Sequence, residues 1–296
     1  CLSNIILFSI LNFSYSSFKC LSVSLRIFSL RVSSVIFIRI ILYFIILIMT
    51  SKKDYRVLKV KDPTDSYTVN VDRLMSLPFR CLICAKSGHG KSNLLTNILC
   101  NEKFGYTNIF DGDDIHIFSP TIKEDAKMSI IIKYYQIEDE NLHTEYSDEL
   151  ILSIYETMIE DFQEDILKKR KPSQKLFILD DLSSSGAFQN RNNAISILFQ
   201  NSRKFNINII LLSQYYKSQL PSIRSNASAI FCFNTNLQSL EAIEADNNYL
   251  SNKKDFYQMF RSNIKTKFDF LFINYSNPYS ELYLDSNFEV IKTELN

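Results

Sequence analysis

The chain has 296 residues, with 33 Lys and Arg against 32 Asp and Glu, so its formal net charge is +1. This balance excludes a strongly basic protein of the kind that binds nucleic acid over its whole surface. Hydrophobic residues make up 46% of the chain and aromatic residues 13%, which excludes a globally disordered protein. Only five residues are glycine, so their positions are informative.

The first 48 residues differ in composition from the rest of the chain. They contain four basic residues, no acidic residue and no glycine, and the first methionine is Met49. We expect residues 1–48 to be an apolar, basic extension, either translated upstream sequence or a genuine membrane or targeting segment. Residues 49–296 carry 29 basic and 32 acidic side chains, a net charge of −3, and are expected to form one domain.

An apolar run from Val35 to Met49 is interrupted only by Arg39. A helix that spans a bilayer takes about 20 apolar residues, so this run is short for a membrane span and carries a charge. A secretory signal would need small residues for cleavage directly after the run, and residues 49–53 are a poor match. Attachment to a membrane is therefore expected only if residues 35–49 are a genuine anchor.

Six cysteines form no regular disulfide framework. Cys81 and Cys84 make a C-x-x-C pair, but no second pair follows at the spacing of a zinc site. Both lie in an apolar segment that predicts a buried strand, where residues three apart face opposite sides. We therefore expect buried free thiols and an intracellular, reducing compartment.

After residue 49, short apolar runs alternate with helical patterns, which predicts an α/β fold with a central, mostly parallel sheet flanked by helices. The expected strands are Tyr67–Val71, Arg80–Cys84, Ile115–Phe118, Lys175–Asp181, Asn206–Ser213 and Ala229–Phe233. The expected helices are Lys91–Cys100, Ser147–Arg170, Leu237–Asn247 and Lys253–Arg261. Lys267–Leu284 is expected to form a C-terminal hairpin that turns at Asn277 and Pro278.

Between the first core strand and its helix lies an octet that matches the phosphate-binding loop G-x-x-x-x-G-K-[ST] at every fixed position but the first. Its glycines let backbone amides turn toward a phosphate chain, which also meets the positive end of the following helix. Lys91 is expected to reach the β- and γ-phosphates, and the Ser92 hydroxyl to bind Mg²⁺. The predicted cofactors are ATP and Mg²⁺, and the predicted nucleotide-binding residues are Ala85, Lys86, Ser87, Gly88, His89, Gly90, Lys91, Ser92 and Asn93.

Two further strands end in polar side chains. The segment 176–181 is an apolar strand that ends in Asp180 and Asp181, and the carboxyl ends of parallel strands line the ligand site of α/β sheets. Asp180 is expected to bind Mg²⁺, and Asp181 to polarise the water that attacks the γ-phosphate. Gln214 ends the next core strand, from where it is expected to contact both the γ-phosphate and this water.

Two arginines are candidates for stabilising the charge of the transition state. Arg203 precedes the strand that ends at Gln214, and from there it is expected to reach the nucleotide of a neighbouring subunit. Arg224 follows Gln214 in a short segment that contains a proline. At this point each can equally be interpreted as a surface arginine.

Taken together, these residues resemble the poxvirus-type virion DNA-packaging ATPases, which belong to the FtsK–HerA superfamily of ring-forming DNA pumps. The resemblance is carried by Cys84–Asn93, Leu176–Asp181, Arg203–Gln214 and Leu220–Asn226. It implies a P-loop NTPase fold and hydrolysis of the γ-phosphate of ATP in a homo-oligomeric ring. It also implies translocation of double-stranded DNA for viral or mobile-element genome packaging. The reducing compartment expected from the cysteines would be the cytoplasm, the nucleus or a viral factory.

The chain departs from that family at two positions. Ala85 replaces the first loop glycine, and Asp181 stands where much of the superfamily carries glutamate. Two alternatives stay open: another P-loop DNA motor or helicase, and a degenerate nucleotide-binding interaction protein that does not turn over ATP. Residues 183–191, mostly polar and directly after the acidic strand end, are one candidate for a segment that contacts DNA in the pore.

Overall fold

The computed structural model describes Tyr43, residues 74–182 and residues 193–293. The expected boundary at residues 48 and 49, the leading strand at 67–71 and the candidate pore segment at 183–191 lie outside the described residues, as does the apolar run apart from Tyr43. All elements described below belong to one compact unit, Lys61–Asn296. Within the described part of the chain, no helix is long and apolar enough to cross a membrane.

The described residues form an eight-stranded sheet with the order β3-β2-β4-β5-β1-β6-β7-β8. Strands β1 to β6 are parallel to one another, whereas β7 pairs antiparallel with both β6 and β8 at one edge of the sheet. This confirms the predicted mostly parallel sheet and the C-terminal hairpin. The strands are β1 (Arg80–Cys84), β2 (Ile115–Phe118), β3 (Leu142–His143), β4 (Lys175–Asp180), β5 (Ile207–Ser213), β6 (Ala229–Phe233), β7 (Phe270–Asn274) and β8 (Tyr283–Leu284).

The helices connect the parallel strands and pack on both faces of the sheet. They are α1 (Lys91–Cys100), α2 (Ala126–Tyr135), α3 (Asp148–Leu167), α4 (Ala194–Asn201), α5 (Pro221–Arg224), α6 (Leu237–Asn247) and α7 (Lys253–Asn263). The predicted helices correspond to α1, α3, α6 and α7. The amphipathic stretch expected from residue 147 is α3, which begins one residue later because the Ser147 side chain caps it by accepting from the Leu150 N–H.

Helices α2, α4 and α5 and the short strand β3 were not predicted; α5 has only four residues. Helices α2 and α4 carry short apolar runs, which do not distinguish a helix from a buried strand by periodicity alone. Their starts are set by side-chain caps: Asp125 accepts from the Lys127 N–H, and Asn193 accepts from the Ser196 N–H. Strand β3 has only two residues, too few to show a pattern.

Alternate residues of the central strands fill two buried clusters, one on each face of the sheet. In β1, Cys81 and Ile83 belong to one cluster, and Leu82 and Cys84 to the other. The two cysteines therefore cannot share a metal, and both are free and buried, as predicted. Burial raises the pKa of the Cys84 thiol to about 12, so it is a protonated, unreactive core residue.

A fully buried amide ties three strands together at their amino ends. The Asn208 Oδ1 accepts from the Phe79 N–H at 2.9 Å, and its Nδ2 donates to the Lys175 carbonyl and to Gln174 Oε1 at 3.0 Å. Asn208 lies in β5, Lys175 begins β4, and Phe79 directly precedes β1. The register of these three strands is thus held at one edge, which aligns their carboxyl ends at the other.

Replacing Asn208 by leucine would remove partners from the Phe79 N–H and the Lys175 carbonyl inside the protein. We expect the free energy of unfolding to fall by about 2–4 kcal/mol, because each unsatisfied buried polar group costs about 1–3 kcal/mol. Urea unfolding measures this loss. Ile209→Val, at the next fully buried position, is the control and is expected to cost about 1 kcal/mol. Equal losses in the two variants would contradict the bridging role of Asn208.

Candidate nucleotide-binding site

The loop between β1 and α1 has the backbone geometry of an anion site. Gly88 and Gly90 have φ angles of 74° and 101°, a region that residues with a Cβ rarely adopt. A Cβ on Gly90 would also lie 3.4 Å from Cδ1 of Phe268. Gly90 caps α1 without a side-chain hydrogen bond, so the first amides of the helix point at the loop and are available to a phosphate.

Ala85 is compatible with this loop although the motif calls for glycine. It is not among the described residues with positive φ, so its backbone does not require glycine. Its methyl group is 2% exposed and packs in the core, and its N–H donates to the Ser213 carbonyl at 3.0 Å. Alanine at this position therefore imposes no backbone strain on the loop.

A cavity of about 530 Å³ lies over the loop, at the carboxyl edge of the parallel strands. It brings together Lys91, Ser92, Asp180, Asp181 and Gln214, which come from the ends of three different strands. Ala85 and His89 do not line it; His89 Nδ1 lies 3.0 Å from the Ser87 carbonyl. The lining residues are Lys86, Ser87, Gly88, Gly90, Lys91, Ser92, Asn93, Thr121, Asp125, Lys127, Asp180, Asp181, Gln214 and Phe268.

Asp180 is buried at the base of this cavity, with 6% of its surface exposed. Burial raises the pKa of its carboxyl to about 6; Lys91 opposes the shift, and the charges of Asp181 and Asp125 add to it. Its Oδ1 is buried and has no hydrogen-bond partner among the described residues. A buried carboxylate oxygen without a partner, in a cavity that also contains the Ser92 hydroxyl, is chemically suited to a Mg²⁺ ion.

Asp181 follows β4 in a left-handed conformation, with a φ of 51°. Successive residues of a strand point to opposite faces, so two adjacent carboxylates could not both enter one cavity if the strand continued. The left-handed turn brings the Asp181 side chain into the same cavity as Asp180. There the Gln214 Nε2 donates to Asp181 Oδ1 across 3.4 Å.

Four residues that line the cavity were not predicted: Thr121, Asp125, Lys127 and Phe268. The first three follow β2, which pairs with β4 and so ends beside Asp180. A polar segment directly after a parallel strand is a signal that could have indicated them. Phe268 precedes β7, and no local pattern indicated it.

The two candidate arginines do not reach the cavity of their own chain. Arg203 is exposed in the turn before β5, at the amino edge of the sheet. The Arg224 Nη1 lies 2.9 Å from Asp246 Oδ2, and its guanidinium lies over the Tyr216 ring at 5.3 Å. Among the described residues, the cavity is lined by three lysines and no arginine.

The chain is similar in structure to a number of solved proteins, including the following three. The DNA-packaging ATPase B204 from Sulfolobus turreted icosahedral virus has a TM-score of 0.47 and 13% identity, over 71% of this chain and 97% of that chain. The genome packaging NTPase B204 from Sulfolobus turreted icosahedral virus 2, in complex with AMPPCP, has a TM-score of 0.43 and 15% identity, over 67% of this chain and 93% of that chain. The cytoplasmic domain of the type VII secretion ATPase EccC from Thermomonospora curvata has a TM-score of 0.42 and 14% identity, over 67% of this chain and 22% of that chain.

No curated protein matches the sequence. A family model does: the model described as Poxvirus A32 protein matches residues 67–284. The match spans most of the chain and includes the loop, both aspartates, Gln214 and both candidate arginines.

The buried carboxylate of Asp180 leads to a prediction about stability. Because the native pKa is about 6 against an ordinary 3.8, the native state binds this proton more tightly than the unfolded state. The contribution of Asp180 to wild-type stability therefore falls as pH rises from about 4 to 6. Asp180→Asn removes that cost, and without Mg²⁺ we expect its free energy of unfolding to exceed the wild-type value by about 2–3 kcal/mol at pH 7.5.

Urea unfolding of the two proteins between pH 4 and 7.5 measures this difference, which should vanish below pH 4. Asp181→Asn serves as the control, because Asp181 is only partly buried and its replacement should change stability less. Added Mg²⁺ should stabilise the wild type and not Asp180→Asn. A gain that is independent of pH would show that desolvation of the Asp180 carboxylate is not its cause.

Proposed function

This chain belongs to the poxvirus A32 protein family of packaging ATPases, and we propose that it works as a ring of identical subunits that moves double-stranded DNA with the energy of ATP hydrolysis. The observation that carries the proposal is the meeting of Lys91, Asp180, Asp181 and Gln214 in one cavity over the phosphate loop. The four groups provide a cation for phosphate oxygens, a carboxylate for a metal, a base and a hydrogen-bonding amide.

We propose that ATP binds with its phosphate chain along residues 86–93. The backbone amides of the loop and the first turn of α1 donate to the phosphate oxygens. Lys91 neutralises charge on the β- and γ-phosphates, and Lys86 and Lys127 add positive charge around the same cavity. The γ-phosphate then lies near Asp181 and Gln214, because these two residues end the neighbouring strands β4 and β5.

In the proposed reaction, a water molecule attacks the γ-phosphorus in line with the bond to ADP. The Asp181 carboxylate accepts a proton from this water as the new P–O bond forms, and the bond to the β-phosphate oxygen breaks. The Gln214 amide is hydrogen-bonded to Asp181, so it can orient the carboxylate and the water together. Because Asp181 is one methylene shorter than glutamate, we expect a low turnover number.

We propose that Ser92 and Asp180 hold Mg²⁺. The unpartnered Asp180 Oδ1 and the Ser92 hydroxyl both belong to the cavity, and Mg²⁺ is usually bound by one or two carboxylates together with substrate phosphates. The described residues contain no cluster of three or more His, Cys, Asp or Glu that would hold a metal by itself. When bound, Mg²⁺ supplies positive charge to the β- and γ-phosphate oxygens.

The proposed ring is supported by the position of Arg203. Strand β5 has seven residues and separates Arg203 from Gln214, a distance of about 20 Å at 3.3 Å per residue. Arg203 therefore cannot reach the cavity of its own chain, whereas a neighbouring subunit could present it there. Arg224 is paired with Asp246 and Tyr216, which favours a structural role.

Contact with DNA would have to be local, because residues 49–296 have a net charge of −3. We propose that residues 183–191 contribute to this contact, since they follow the acidic end of β4 directly.

We also propose an intracellular, reducing compartment, namely cytoplasm, nucleus or a viral factory. The free thiols of Cys81, Cys84, Cys100 and Cys232 support it. Residues 49–296 are proposed as the ATPase domain.

Lys91→Ala should abolish ATP hydrolysis and weaken ATP binding, because it removes the cation closest to the phosphates. Asp181→Asn should lower kcat about 100-fold or more, the usual contribution of a general base, and leave ATP binding in place. Phosphate release with and without double-stranded DNA, together with calorimetry of ATP binding, measures both effects. Wild-type ATPase activity that does not respond to DNA would contradict the proposed DNA motor but not the proposed hydrolysis of ATP.

A mixing experiment tests whether Arg203 acts between subunits. Arg203→Ala and Lys91→Ala should each be inactive alone, since one lacks the arginine and the other the phosphate lysine. Mixed together, they should regain part of the activity, because a Lys91→Ala subunit can supply Arg203 to an intact neighbouring cavity. Phosphate release over a range of mixing ratios measures the recovery.

The control is Arg203→Ala mixed with a double variant that lacks both Lys91 and Arg203, which should stay inactive. Arg224→Ala should retain activity per folded molecule and unfold at lower urea concentration. If Arg203→Ala alone is fully active, Arg203 has no part in hydrolysis.

A further inference from the structure

An aromatic groove adjoins the cavity over the phosphate loop. It has a volume of about 200 Å³ and shares Gly90, Asn93 and Phe268 with the larger cavity. Besides Phe268, four phenylalanines line the groove, together with Leu94, Asn97, His89 and Ser286; the four are Phe104, Phe233, Phe270 and Phe288. The groove thus adjoins the phosphate-binding cavity through three shared lining residues, and the mechanism above does not use its phenylalanines.

Phe268 is the side chain at the border of the two spaces. It is 57% exposed, although most phenylalanines in the described part of the chain are buried. Its Cδ1 lies 3.4 Å from the position of a Cβ on Gly90, so the ring is directly beside the phosphate loop. Lys267 Nζ lies over the ring at 4.8 Å from the centroid.

The loop that carries Phe268 is held in place by backbone hydrogen bonds. The Asp269 carboxylate accepts from the N–H groups of Lys265 and Thr266 at 3.0 and 2.7 Å, and the Phe268 N–H donates to Thr266 Oγ1 at 3.3 Å. An exposed aromatic ring on a preorganised loop loses little conformational entropy when a planar ligand stacks on it.

The strand order sets the direction of a bound nucleotide. Asp181 and Gln214 follow β4 and β5, on one side of β1, whereas Phe268 precedes β7, two strands away on the other side. A triphosphate whose γ end lies at Asp181 and Gln214 therefore runs along the loop toward Asn93 and Phe268. The group attached to the α-phosphate, a ribose with its base, then arrives at the aromatic groove.

We propose that the aromatic groove binds the base of the nucleotide and that the Phe268 ring stacks on it. The inference rests on the proposed binding of ATP along the phosphate loop, and it identifies a residue that makes the site prefer a nucleoside triphosphate to a bare phosphate chain. Every base offers a planar face, so stacking supplies affinity without a requirement for one particular base. Phe268 is a binding residue and takes no part in the chemical step.

A tryptophan at this position reports on the stack directly. The chain contains no tryptophan, so Phe268→Trp introduces a single indole. We expect ATP to quench its fluorescence and inorganic tripolyphosphate, which has no base, to leave it unchanged. Tyr279→Trp is the matched control, since Tyr279 is a similarly exposed aromatic residue, 62% exposed, that lines neither cavity. Its fluorescence should respond to neither ligand.

Affinity provides the second measurement. Phe268→Ala should weaken ATP binding about ten-fold, the loss expected for one stacked base, and should leave the affinity for tripolyphosphate unchanged. Phe268→Tyr should restore ATP binding. Because the ring is exposed, these variants are expected to fold, and the intact wild-type chain serves as reference in the same titrations.

The outcomes separate this inference from the proposed function. Equal weakening of ATP and tripolyphosphate by Phe268→Ala, or no weakening of either, would overturn the stacking role. Equal affinity of the wild type for ATP and tripolyphosphate would overturn it as well. If the fluorescence and affinity results are as expected but no phosphate is released in the presence of DNA, the base-binding role of Phe268 is supported and the proposed DNA motor is contradicted.

Discussion

The hydrogen-bonded ladder between β1 and β5 extends one residue beyond β1, because the Ala85 N–H donates to the carbonyl of Ser213, the last residue of β5. This bond holds the start of the phosphate loop against the end of β5, directly before Gln214. Both strands are buried on both faces, and a slip of one residue would move every side chain to the opposite face. The geometry of the whole site depends on that register, which the hydrogen bonds of Asn208 hold at the amino ends of the strands.

The same burial brings a charge into a place where it is unfavourable. Strand β4 is buried along its whole length, so the carboxylate at its end loses water, and the pKa of Asp180 rises. The left-handed turn at Asp181 then adds a second carboxylate to the same cavity. An arrangement of this kind is poor for the stability of the empty protein, and it is typical of sites whose ligands are a cation and a phosphate chain.

The length of the strands separates two sets of polar residues at opposite ends of the sheet. The carboxyl edge carries the phosphate loop, both aspartates and Gln214, and the amino edge carries Arg203 before β5. The side chains that stabilise Arg224 lie within the same chain, whereas Arg203 is exposed and its guanidinium has no ion-pair partner among the described residues. The proposed role of Arg203 in hydrolysis therefore requires a second subunit, because the strands separate it from the cavity of its own chain.

The sequence by itself determined the features that depend on neighbours along the chain. The phosphate loop, the two aspartates, Gln214, seven of the eight described strands and four of the seven described helices were predicted, because periodicity and turn residues act within a few positions. Helices α2 and α4 were not predicted, because short apolar runs are compatible with both a helix and a buried strand. Only the tertiary structure decided that the segments after β2 and before β7 meet the loop. Phe268 and Gly90 are far apart in sequence and adjacent in space because β7 runs antiparallel beside β6, and strand order is set by long-range packing that no local pattern encodes.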